Sequence, residues 1–276
     1  MSNSDQSSIK QLFGVDKFII GMAHCLPLPG SPLYDAAGGV AAIERGLRRD
    51  VEALQAGGVD AVMFCNEGDR PYRLQPGFET VAVMAAAITA VKPALHVPFG
   101  VDVLWSPKAA LALATATGAA FVREIFTGVY AGDMGYWNTD CGEVFCYRNA
   151  IGAQGVKLFF NINAEFSAQL DTRPIGVIAR SVVFSSLPDG LCISGPMTGQ
   201  PTSPETLAEV KRAAPNTTII ANTGVNVKNV RELLAHADGA IVGTSLKMDG
   251  VTWNPVDAER VKAFMAEVRK LREGQR

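Results

Sequence analysis

The chain has 276 residues, 48% hydrophobic and 19% charged, with a formal net charge of −2 at pH 7. That length and composition describe a globular chain able to bury a sizeable core. Without a long basic run it lacks the positive footprint that nucleic-acid binding needs, and without about 18 consecutive apolar residues it has no candidate membrane-spanning helix. The five cysteines, Cys25, Cys65, Cys141, Cys146 and Cys192, are odd in number and scattered. Cys25, Cys65 and Cys192 lie at or beside apolar strand-like runs and read as buried or site-lining thiols of a reducing, cytoplasmic compartment. The polar start Met1–Gln11 does not read as a secretory leader.

In chain order, 1–15 is taken as a polar extension. An apolar strand at Phe18–Ala23 then runs into the proline-stiffened loop His24–Pro32. Val40, Ile43, Leu47, Val51 and Leu54 recur at helical spacing over Gly39–Ala56, and Gly57-Gly58 stops that helix. The alternation then repeats. Strands are predicted at Val59–Phe64, Phe99–Leu104, Ala120–Phe126, Val156–Ile162, Leu191–Ser194, Thr217–Ala221 and Ala240–Val242. Helices are predicted at Phe78–Val91, Pro107–Thr117, Cys141–Ala153, Ile175–Leu187, Ser203–Ala213, Val227–His236 and Asp257–Glu273. Eight strands, each followed by a helix and with no linker dividing them, predict a single (β/α)8 TIM barrel over 1–276. An open doubly wound sheet is disfavoured, since no G-x-G-x-x-G follows the first strand.

In such a barrel the chemistry sits at the C-terminal ends of the strands. The last two strands end in small, glycine-bearing turns, Asn222-Thr223-Gly224 and Gly243-Thr244-Ser245. Main-chain N–H groups can close on an anion there. Ser194, Gly195 and Gly199 extend the same expectation to the sixth strand. His24, at the end of the first strand, suits proton transfer near neutral pH. Asp102, Arg123, Glu124 and Lys157 lie inside strands. They read either as an internal ion network or as an acid/base set using Asp102 or Glu124, and a Schiff base at Lys157 is disfavoured by its place at the start of its strand. Asn66 and Asn163 are candidates for positioning hydroxyl groups. The long loop Thr127–Thr139, with Tyr130, Tyr136, Trp137 and Asp133, suits a lid or a packed surface loop.

Several of these stretches resemble the BtpA family. The opening Ile20–Pro32 (IGMAHCLPLPGSP) and the close Asp238–Gly250 (DGAIVGTSLKMDG), followed by Asn254–Asp257 (NPVD), look like that family's ends. Phe64–Asp69 (FCNEGD), Phe99–Trp105 (FGVDVLW) and Arg123–Asp133 (REIFTGVYAGD) resemble its SgcQ-like branch. The resemblance implies a TIM-barrel-like protein. It connects the branch with sugar uptake and metabolism, and the family name with a photosystem I biogenesis factor. Cys65 stands where much of the family has an acidic residue, and Asp102 where it has an asparagine.

The expected function is an enzyme acting on a small phosphorylated metabolite, a sugar phosphate, as isomerase, epimerase or aldolase-type lyase. Catalysis is expected from His24, Asp102 or Glu124. Binding is expected from Asn66, Asp133, Asn163, Ser194, Gly195, Gly199, Asn222, Thr223, Gly224, Gly243, Thr244 and Ser245. No metal, cofactor, nucleic acid or membrane insertion is expected, and a homo-oligomer is. The alternatives are a non-catalytic assembly factor and a sugar-phosphate sensor.

Overall fold

The computed structural model describes residues 4–274; residues 1–3 and 275–276 of the expected domain lie outside the described residues. Eight parallel strands close into a barrel. In chain order they are β1 (Phe18–His24), β2 (Ala61–Cys65), β3 (Phe99–Asp102), β4 (Phe121–Glu124), β7 (Lys157–Asn161), β9 (Gly190–Ile193), β10 (Thr218–Ala221) and β11 (Gly239–Val242). The ring closes where Phe18–Gly21 of β1 pair with Gly239–Val242 of β11. Helices α2 (Gly39–Gly57), α3 (Phe78–Val91), α4 (Pro107–Thr117), α5 (Cys141–Ala150), α6 (Ile175–Ser186), α7 (Pro204–Ala213), α8 (Val230–His236) and α9 (Ala258–Glu273) follow the strands. The predicted barrel is the observed one, with element ends shifted by a few residues. No helix among the described residues is long and apolar enough to cross a membrane.

Side chains alternate along each strand, which splits the core in two. One layer, with Ile19, Val62, Val101, Val122, Leu158, Leu191, Ile219 and Val242, packs outward against the helices. The other, with Phe18, Ile20, Met63, Phe121, Phe159, Cys192, Ile220 and Ile241, fills the barrel. The interior is crowded with rings, and glycines make room for them. A Cβ at Gly100 would run into the Phe121 ring, and one at Gly239 into Phe18.

The N-terminal segment, expected only as a polar extension, contains helix α1 (Ser4–Phe13). Its Ile9 and Phe13 are buried. Phe13 stacks on Phe18 with ring centroids 4.0 Å apart and meets Phe121 edge-on at 5.7 Å. The helix therefore stoppers the N-terminal end of the barrel. Ile9→Val should cost about 0.5–1.5 kcal/mol, the range for a core methyl. A urea midpoint equal to that of the wild type would mean that α1 does not dock in solution.

The long loop after β4 is not irregular. It forms a hairpin, β5 (Val129–Gly132) and β6 (Gly135–Asn138), to which β8 (Ser167–Gln169) adds. Tyr130 and Trp137 are buried in its packing, with Trp105 5.1 Å from Trp137, whereas Tyr136 is exposed. Two of the three aromatic residues expected to stack on a ligand are thus part of a small core that holds the chain after β7 in place.

Candidate functional site

The mouth of the barrel is a polar cleft of about 400 Å³, counting its open side. It is lined by Met22 and His24 from β1, Glu67 after β2, Arg123 from β4, Glu165 after β7, Thr198 and Gly199 after β9, Asn222 to Gly224 after β10, and Gly243 and Thr244 after β11. Chain segments far apart in sequence thus meet in one volume, as the barrel topology requires.

Arg123 organises one wall. Its Nη1 donates to Asp102 at 3.0 Å, its Nη2 to Glu165 at 2.8 Å and its Nε to Asn161 Oδ1 at 2.7 Å. Burial works against the Arg123 charge, but Glu165 and Asp102 outweigh it and hold the proton on. Ser194 Oγ donates to Glu165 at 3.2 Å, and Asn161 and Asn222 both donate to Ser194 Oγ. Glu165 owes its position to the chain on both sides. Asn163 clasps Ser194 through two main-chain bonds of 2.7 and 2.9 Å, and the Phe166 N–H donates to the Pro196 carbonyl.

Glu67 faces Glu165 across the cleft. The Thr198 hydroxyl oxygen lies 3.2 Å from Glu67 Oε1 and 3.2 Å from Glu165 Oε2. One hydroxyl proton cannot serve two carboxylates, so a proton on Glu67 completes this arrangement. Burial, and then the Glu165 charge, push the Glu67 carboxyl up to about 7, against the pull of the Tyr72 hydroxyl, which donates at 2.9 Å. His24 moves the other way. Burial, and then the nearby Lys247 ammonium, hold it well below the usual histidine range, so it is a neutral imidazole at pH 7.

The opposite wall is made of loops. Thr223 and Gly224 both take left-handed backbone angles, with φ of 56° and 59°. At Gly224 no side chain fits, because a Cβ would strike the main chain of Gln200 and Pro201. Thr223 Oγ1 accepts from the Gly195 N–H and donates to the Gln200 carbonyl, each at 2.8 Å, tying the loops after β9 and β10 together. Ser245 Oγ donates to the Val225 carbonyl at 2.6 Å, tying in the loop after β11. Among the described residues the N–H groups of Gly224 and Thr244 donate to no main-chain acceptor outside helices and strands. Thr223→Val keeps the shape and removes both bonds. Its expected cost is about 1–2 kcal/mol, read from the urea midpoint.

Of the residues anticipated from sequence, His24, Gly199, Asn222, Thr223, Gly224, Gly243 and Thr244 line the cleft. Ser194, Gly195, Asn163 and Ser245 stand behind it as braces. Asn66 also braces: its Oδ1 accepts from the Leu104 N–H at 2.9 Å and its Nδ2 donates to Asp69 at 3.2 Å. Asp102 is fully buried under Arg123 and does not line the cleft. Glu124 is buried, accepts from the Ile125 N–H at 2.9 Å and lies against Asp102. Burial, and then the Asp102 charge, raise Glu124 well above the carboxylate range, so it keeps its proton while Asp102 is charged. Asp133 sits exposed at the hairpin turn, away from the cleft. Lys157 pairs with Asp189 at 3.0 Å at the start of its strand. Glu165 and Thr198 were not foreseen as individual residues, and Glu67 was given no role; Arg123, expected within an internal ion network or beside an acid/base set, forms such a network with Asp102 and Glu165. A signal for Glu165 existed: Phe159, Asn161, Asn163 and Glu165 continue one inward alternation past the end of β7.

Among solved structures, the barrel is similar to (S)-3-O-geranylgeranylglyceryl phosphate synthase from Thermoplasma acidophilum. The TM-score is 0.62 and the identity 13%, over 98% of this chain and 100% of that one. It is also similar to phosphoribosyl anthranilate isomerase from Thermus thermophilus, with a TM-score of 0.57 and 14% identity over 92% and 100%. At these identities the likeness is one of fold. In sequence, the chain is 46% identical to the sgc region protein SgcQ of Escherichia coli (strain K12) over 266 residues, 96% of this chain and 99% of that protein. It is 30% identical to the photosystem I biogenesis protein BtpA of Synechocystis sp. (strain PCC 6803) over 260 residues, 92% and 89% of the two chains. The BtpA family model matches residues 15–270, and the chain belongs to the BtpA family.

Proposed function

We propose that this chain is an enzyme that moves a proton on a small phosphorylated metabolite, a sugar phosphate, as an isomerase, epimerase or aldolase-type lyase. The observation that carries the reading is Glu67, a buried carboxyl poised at about 7 on the same cleft as the glycine-bearing loops after β10 and β11. A general base is most effective when its pKa lies near the working pH. Glu67 would take a proton from the carbon beside a carbonyl. Neutral His24 and the Arg123 guanidinium would stabilise the negative charge that develops on the oxygen. The phosphoryl group would lie against the N–H groups of Gly224 and Thr244, away from Glu67 and Glu165, whose charges would repel it. The fold neighbours named for phosphorylated substrates and the relative from an sgc region are compatible with this reading.

The test is proton exchange. A panel of sugar phosphates is incubated with the protein in deuterium oxide and followed by proton NMR. Loss of a C–H signal next to a carbonyl, or conversion of the compound, is expected for one member. No exchange across aldose and ketose phosphates of three to seven carbons would count against the proposal.

A non-catalytic assembly factor is the second reading. It is suggested by the name of the Synechocystis relative and draws on a different surface. Phe184, 89% exposed, and Leu187, 63% exposed, stand at the end of α6, where an apolar face suits docking or a second copy of the chain. Under that reading Phe184→Ser abolishes function in the cell and Glu67→Gln does not.

A further inference from the structure

A second cavity, of about 600 Å³ counting its open side, opens on the far side of His24, between the loop after β1, helix α2 and the segment after β11. Arg49, Arg70 and Lys247 all reach its wall, and Asp50 is the one carboxylate there. Asp50 is already shared: Lys247 Nζ donates to it at 3.0 Å and Arg49 at 3.0 Å, and the Val256 N–H donates to it at 3.1 Å. Arg70 has no carboxylate partner among the described residues. Its guanidinium lies 3.4 Å from the centre of the Trp253 ring, a contact that fixes the plane of the group without neutralising it. Two buried nitrogens on the wall, Arg70 Nε and His24 Nδ1, have no hydrogen-bond partner among the described residues. Leaving such groups unpaired in a buried wall costs stability. A cavity with three cations against one carboxylate, and with unused nitrogens, is short of an anion.

We infer that this cavity is a second oxyanion site, taking inorganic phosphate or the phosphate of a monoester through Arg70, Lys247 and Arg49, separate from the glycine-bearing loops across His24. It stands on its own walls, whichever way the proposed proton transfer turns out. Lys247 is fully buried and its bond to Asp50 holds it in place, so it supplies fixed charge. Arg49 is half in solvent and can swing onto an entering anion. Arg70 offers the edge of its fork while its face stays on Trp253.

Inorganic phosphate titrated into the full chain by calorimetry tests this with three variants. The wild type should bind at two sites. Arg70→Gln and Arg49→Gln should each weaken one site at least tenfold and leave the other. Arg49 is exposed enough for its variant to fold if the Arg70 variant does not. Gly224→Val separates the two proposals, because it should remove only the site at the loops. A wild type with no phosphate site that responds to Arg70→Gln or Arg49→Gln overturns the inference, whether or not Gly224→Val abolishes binding.

Discussion

Replacing Arg123 by methionine should destabilise the protein by about 3–5 kcal/mol, the cost of stranding buried charges. Asp102 and Glu165 both depend on this guanidinium, and both side chains are at most 5% exposed. Against a total stability of about 5–15 kcal/mol, that is a large share. The deficit should also depend on pH. Burial raises Asp102 even in the presence of Arg123, and removing the cation raises it further. A carboxyl whose folded pKa is raised stabilises the fold at low pH and loses that contribution as pH rises. The gap between variant and wild type should therefore widen from pH 5 to pH 8. Urea denaturation at the two pH values is the check. A variant as stable as the wild type at pH 8 would mean that the carboxylates find other partners and that Arg123 does not organise the wall.

Glu67→Gln should lower turnover by roughly 10²–10⁴, the usual contribution of a positioned acid or base, with little change in substrate affinity. In the wild type the rate should rise with pH through about 7, as Glu67 becomes the base. The same substitution has a stability signature that does not require a substrate. Glu67 is raised to about 7 in the fold, against roughly 4.3 in an unfolded chain. The folded protein therefore holds the extra proton between those values, and stability declines as pH rises across that window. At 1.36 kcal/mol per unit the loss is roughly 4 kcal/mol by pH 8. His24 acts in the opposite sense: its folded value is depressed, so stability falls as pH drops below about 6.5. Glutamine mimics the protonated carboxyl. The variant should match the wild type near pH 4 and exceed it at pH 8. A variant whose stability tracks the wild type from pH 4 to pH 8 would show that Glu67 titrates like an exposed carboxylate.

The barrel was legible because its punctuation is local. Gly57-Gly58 ends α2, Ser203 caps α7 through its side chain, and Pro107 opens α4. Each signal acts within one turn of the chain, where sequence order and spatial order coincide. The glycine-bearing loops were legible for the same reason. The character of Glu67 was not, because a pKa is set by neighbours that sequence does not reveal. Asp102 and Glu124, conspicuous as charges within strands, are committed to Arg123 and to each other. Glu67 is unremarkable in its loop and gains its character from burial in the fold and then from Glu165, 98 positions later. Helix α1 was missed because its polar residues outnumber Ile9, Leu12 and Phe13, and only the barrel floor gives those three a partner.

Crystals soaked in tungstate, a heavy analogue of phosphate, test the central claim most directly. Anomalous scattering then locates the anion independently of any substrate. The account predicts a peak within hydrogen-bond distance of the Gly224 and Thr244 N–H groups, on the cleft shared with Glu67. A peak at any other position with these loops empty would contradict it.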